Sequence, residues 1–187
     1  MTSRWVVDVA PLRNVPVRWR AYSLDIKNEG VEIPALYREP SAVSRGALRV
    51  VEAVWDEYGD APIGRLYTEM GIRFHLRGDV SRAAVAQALL ASGLPRYLVE
   101  AADDERWDKA IRYSMDEAID LVGEDVGVPV LLFRDGEDAA AVSGPVVSPA
   151  PRGDEALALW DHVSALAWMP GFFELKRTRT GPPQLVR

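Results

Sequence analysis

Two histidines, His75 and His162, are the only imidazoles among the 187 residues, and cysteine is absent. Those counts decide much of the available chemistry. Without a thiol these residues form no disulfide, no thiolate nucleophile and no zinc–sulfur site. A metal would need carboxylates for most of its ligands, and the run Asp103, Asp104, Glu105 reads instead as a helix start, so no metal is expected. The hydroxyls of Thr2 and Ser3 stand where a helix begins, but no histidine adjoins them to act as base. Capping is their expected role. Tyr67 and His75, eight residues apart, share roughly one helical face. Asn28 and Glu29 lie in a loop, where site residues concentrate. Each has an ordinary role open to it as well: Tyr67 in a core, His75 at a helix end, Asn28 and Glu29 in a turn.

Composition narrows the class. Apolar residues make up 48% and charged residues 27%, which suits a globular chain with a sizeable core. The length fits one domain, or a small domain carrying an inserted subdomain. A net charge of −6 argues against a nucleic-acid partner, because that affinity rests on phosphate neutralisation. The one basic cluster, Lys176, Arg177 and Arg179, reads as a solvated terminus. No stretch approaches the roughly 20 apolar residues of a membrane span, and the opening Met-Thr-Ser-Arg-Trp has no apolar signal region. A cytoplasmic location and no membrane partner are expected.

The elements that must position the candidates follow from periodicity. Trp5, Val6 and Val9 give a short amphipathic helix that stops at Pro11. Val15, Val17, Trp19 and Ala21 alternate as in a half-buried strand, Val15–Tyr22. Asn28 to Pro40 reads as a loop punctuated by Pro34 and Pro40. From about 44 to 122 the period is helical, with breaks at Gly59, Gly78, Gly93 and Gly123 and starts at Pro62, Asp79 or Ser81, and Asp103 or Asp104. Val128–Phe133 is a continuous apolar run, as in a strand covered on both faces. Arg134-Asp-Gly136 is a turn, Ala139–Val142 a returning strand, and about 154–168 a final helix.

That order resembles the DsbA-like branch of the thioredoxin superfamily. Thr2-Ser-Arg-Trp5, Ser23-Leu24 with Asn28-Glu29, Leu66-Tyr-Thr-Glu-Met-Gly71, Val122-Gly-Glu-Asp-Val-Gly-Val-Pro129 and Phe172–Thr180 with Pro182-Pro183 point to a narrower group. They resemble the actinobacterial mycothiol-dependent nitroreductase family over essentially the whole chain. The resemblance implies an α/β, thioredoxin-like (DsbA-like) fold. Residues 1–40 and 123–187 would form an incomplete thioredoxin-like domain, and 41–122 an inserted helical subdomain. In that family a strand and a Cys-Pro-Trp-x motif precede the Thr-Ser-Arg-Trp segment, and neither is in this sequence. The expectation is an N-terminally shortened chain whose missing first strand would lie between Val15–Tyr22 and Val128–Phe133.

Several residue roles come with the resemblance. Gly127, Val128 and Pro129 would bind the thiol cosubstrate, mycothiol, with Val128–Pro129 a cis bond. Asn28, Tyr67 and His75 would border the electrophile; no bound cofactor is implied. Three functions compete: a mycothiol-dependent reductase of nitro or other electrophilic compounds or disulfides, inactive in this form; a non-catalytic thiol- or partner-binding relative; and an enzyme similar to kappa-class glutathione transferases. An exposed strand edge would invite pairing with another chain, and oligomeric state stays open.

Overall fold

Where apolar residues recur every three or four positions, the chain is helical, and where they run on beside a glycine turn, it forms the sheet. The computed structural model describes residues 1–32, 35–178 and 181, with the backbone only for 35–39. Pro34, Arg179, Thr180, Pro182 and Pro183 lie outside the described residues. The helices are α1 Thr2–Val9, α2 Leu24–Lys27, α3 Ala35–Tyr58, α4 Ile63–Gly71, α5 Arg82–Ala91, α6 Asp108–Val122 and α7 Gly153–Ala167. The strands are β1 Val130–Asp135 and β2 Asp138–Ser143. The class is mixed α/β, rich in helix, with a small two-stranded sheet. No helix among the described residues is long and apolar enough to cross a membrane. The chain divides into two units, Met1–Val17 with Glu117–Arg187, and Arg18–Asp116.

In the first unit the sheet is a hairpin. Val130 pairs with Ser143 and Asp135 with Asp138, antiparallel, around a turn in which Gly136 takes φ +59. That left-handed value costs glycine little. Leu131, Phe133 and Val142 pack on a core of Trp5, Val6, Val9, Ala156, Trp160 and Val163. Trp5 is fully buried, and its indole N–H, which burial would otherwise orphan, donates to Ala156 O at 2.8 Å. The apolar run of β1 is paired along one edge only and is half-buried rather than covered on both faces.

The second unit is helical. Val50, Val54, Ile63, Leu66, Met70, Val85 and Leu89 form its core, and Leu98 and Val99 of a 3₁₀ segment, Arg96–Asp103, close it. Gly46 allows this approach: a Cβ there would meet Ala102 Cβ at 3.3 Å. Ser81 caps α5 by accepting from Ala84 N, and Asp104 accepts from Arg106 N at the 3₁₀ turn Glu105–Trp107 that leads into α6. Polar residues on α3 carry a second system. Arg49 Nε donates to Asp108 Oδ1 at 2.6 Å, and Arg45 Nη2 donates to Asp108 Oδ2 at 2.6 Å. Arg45 Nη1 reaches Asp25 and Glu29, and Arg112 Nη2 donates to both oxygens of Glu29.

Three further expectations fail. Residues 15–22 form no ladder, although Val17 and Trp19 are half-buried, Ala21 is buried, and Arg18 and Arg20 between them are exposed. The alternation is real, but no neighbouring strand pairs with it. The loop expected to Pro40 gives way at Ala35 to α3, which runs through Pro40; that proline lacks one N–H near the helix start and the helix continues. Neither Thr2 nor Ser3 caps α1, whose N-cap is Met1 without a side-chain bond.

The arginines hold the Asp108 carboxyl well below the usual carboxylate range, the Arg49 hydrogen bond most of all, with burial opposing. Glu29 is lowered chiefly by its hydrogen bond from Arg112. Both shifts are downward, so their stabilisation is complete above the unfolded carboxylate pKa of about 4 and fades as pH falls through the folded values. Thermal scans at descending pH should show Tm dropping below about pH 4. Asp108→Asn, which leaves two guanidinium groups facing a neutral amide, should cost about 3 kcal/mol at neutral pH and flatten that acid limb. An unchanged Tm would show that the ion lattice is not stabilising.

Candidate functional site

In the hairpin unit, two hydrogen bonds tie the segment before β1 to the end of β2, and a third ties the residue that follows to α1. Ser143 Oγ donates to Gly127 O at 3.0 Å, and Gly144 N donates to Pro129 O at 2.7 Å. One residue on, Pro145 O accepts from Thr2 Oγ1 at 2.7 Å. Gly127, Val128 and Pro129 are thus held from one side by the hairpin, which also grips the first turn of α1. The Val128–Pro129 bond is cis, the geometry the resemblance implied. Gly144–Pro145 and Ser148–Pro149 are also cis. Val128 is 40% exposed and Gly127 is exposed, so this part of the segment stands at the surface rather than inside a core. Gly144 takes φ +99, a conformation L side chains rarely adopt, and this places its N–H on Pro129 O.

Asn28, Tyr67 and His75 belong to the helical unit. Tyr67 is not a core residue: it is 44% exposed and stacks on Trp19, ring centroids 5.3 Å apart and planes 22° apart. Gly64, one turn before Tyr67, makes that possible, because a Cβ there would lie 2.8 Å from Trp19 Nε1. α4 then widens into a π-type turn, Ile72–Leu76, which carries exposed His75. Such turns recur at functional sites. Its neighbour Arg73 is buried and pins the turn, donating to Glu69 O, Glu69 Oε2 and Gln87 O. Asn28 is exposed at the C-cap of α2, whose start is fixed by Ser23 Oγ accepting from Ile26 N.

Sequence reasoning named the three residues of the 127–129 segment but not the residues that hold it. Ser143-Gly-Pro145 reads as an interruption after a strand, and only the hairpin register reveals that it folds back on Gly127 and Pro129. Sequence reasoning also passed over Gly64 and Arg73. A glycine inside a strong apolar stripe is the one signal that could have marked the close approach of a large ring.

Among known proteins, the family model described as "Rv2466c-like: Mycothiol-dependent nitroreductase Rv2466c" matches residues 1–177. The uncharacterized protein Rv2286c of Mycobacterium tuberculosis is 30% identical over 185 residues, which is 96% of this chain and 76% of that protein.

Two substitutions test the geometry. Gly144→Ala forces a side chain into a left-handed conformation and should cost about 1–2 kcal/mol, read as a lowered denaturation midpoint. Gly64→Ala should move the Trp19 ring off Tyr67, seen as a change in the ring-current shifts of the Tyr67 protons. Unaltered shifts would mean that Gly64 does not set the stack.

Proposed function

Since the chain belongs to the Rv2466c-like family, we propose that it is the scaffold of a mycothiol-dependent thiol oxidoreductase acting on nitro compounds or related electrophiles. The observation that carries this reading is the family match over residues 1–177. In the finer form of the proposal the fold is thioredoxin-like in its DsbA-like variant. Residues 1–40 and 123–187 belong to that domain, and 41–122 are a helical insertion. The protein works in the cytoplasm with small molecules as partners.

Within this reading, Gly127, Val128 and Pro129 align the thiol of mycothiol along their backbone. The hydrogen bonds from Ser143 and Gly144 support the assignment, because they fix the direction of the segment's carbonyls. Tyr67, backed by Trp19, offers a flat apolar face to a planar electrophile, while His75 and Asn28 supply polar groups. A two-electron turnover joins two thiols as a disulfide and reduces a nitro group to nitroso with release of water. No residue of the 187 is a cysteine, so the sulfurs are those of the cosubstrate or of a cysteine outside these residues. The same absence favours a second reading, a relative that binds a thiol without turning it over.

The purified chain is expected to show no mycothiol-dependent reduction of a nitro compound. Turnover by these residues alone would show that both sulfurs are the cosubstrate's and would overturn the need for a cysteine outside these residues. If in-frame DNA upstream of Met1 encodes a β-like run followed by Cys-Pro, the protein extended through it should be active and should lose activity on Cys→Ser. An extended, folded but inactive protein would favour the non-catalytic reading.

A further inference from the structure

The hairpin leaves one edge of β2 open, and its register tells which groups face outward. Gly144 N donates to Pro129 O at 2.7 Å, so every second residue back from Gly144 turns its backbone groups toward β1: Val142, Ala140 and Asp138. Ala139, Ala141 and Ser143 turn theirs away, and no backbone partner meets them among the described residues. Open edges are commonly blunted by a lysine, a proline or a bulge. This one runs through three alanines, Ala139 to Ala141, with none of these. It starts beside the exposed acids Asp135, Glu137 and Asp138.

The same unit carries a segment of opposite character. Phe173 is 93% exposed and Leu175 84%, and Met169 just before them is 54% exposed. Apolar side chains left so bare mark an association site. Phe173 to Arg177 lie outside helix and strand, and their backbone makes no hydrogen bond among the described residues. Lys176 and Arg177 are exposed and form no ion pair among those residues. In a chain of net charge −6, this basic segment has its complement on the acidic surface of a second copy.

We propose that two copies of this chain exchange these segments, each adding residues 173–177 as an antiparallel strand to the open edge of β2 in the other. Antiparallel addition sets Arg177 opposite Asp138, Leu175 opposite Ala140 and Phe173 opposite Val142. Glu174 and Lys176 then exchange backbone bonds with Ala141 and Ala139, whose groups face outward. Phe173 and Leu175 come down on the face where Val142 and Phe133 already pack on the core of Trp5 and Trp160. Each copy supplies one strand and one edge, so the exchange closes as a two-fold dimer.

The test follows the full chain by sedimentation equilibrium over a concentration series. The unaltered chain should be a dimer that dissociates on dilution. Lys176→Glu with Arg177→Glu, and separately Glu137→Lys with Asp138→Lys, set like charges face to face and should each weaken the dimer about tenfold. All four side chains are exposed, and unchanged circular dichroism should show the fold intact. Mixed in equal amounts, the two variants meet opposite charges at both contacts and should regain the original affinity as a heterodimer. Phe173→Ser with Leu175→Ser should weaken the dimer by a similar factor. A monomer at every concentration, a dimer indifferent to these variants, or a mixture no tighter than its components would each overturn the assignment.

Discussion

A carboxylate removed from water at the first residue of α6 constrains the whole helical unit. Asp108 is 9% exposed, and a charge so placed is tolerable only if cations reach it with good geometry. Arg45 and Arg49, one turn apart on α3, meet that demand, which fixes how α3 and α6 face each other within the unit. Arg45 then has a second end to satisfy and draws in Asp25 and Glu29, so that α2 is tied to the same lattice. Arg112, one turn along α6 from Asp108, closes the ring on Glu29. The lattice grades from buried at Asp108 to open at Glu29. Its inner end therefore acts on stability, while its outer end is screened by salt and contributes little.

The hairpin unit solves a different problem with neutral groups. Its core is small and aromatic, so the polar atoms that Trp5 and Thr2 bring into it must find backbone acceptors, and Ala156 O and Pro145 O serve. The same economy holds Gly127 and Pro129 in place, each carbonyl taking one donor from the end of β2. The segment so pinned stands at the surface at Gly127 and Val128, as the function proposed requires.

Much of the secondary structure was legible because it is written in local period. Val50, Val54, Ile63, Leu66 and Met70 are buried where helical spacing put them, and Gly136 turns the hairpin where Arg134-Asp-Gly136 predicted. What could not be read depends on distant partners. Asp108 meets Arg45 and Arg49 across 63 and 59 positions, and nothing at residue 108 distinguishes it from a solvated helix-start aspartate. The alternation of residues 15–22 names a half-buried extended segment correctly, but whether it joins a ladder depends on a neighbour that no local pattern reveals. Among the candidate site residues, Tyr67 was placed on the right helix, yet its stack on Trp19 needed Gly64, whose meaning lies in the ring packed against it.

Trp5 and Trp160 share the hairpin unit's core with their rings 5.8 Å apart and tilted by 54°. At that separation and angle the two indole transitions couple. The protein therefore carries an intrinsic optical label for this unit: a dichroic couplet in the strong far-ultraviolet indole band that exists only while α1 and α7 remain packed together. Trp19, Trp55 and Trp107 report from the other unit, so the melting of each half of the molecule leaves its own spectral trace without any added dye.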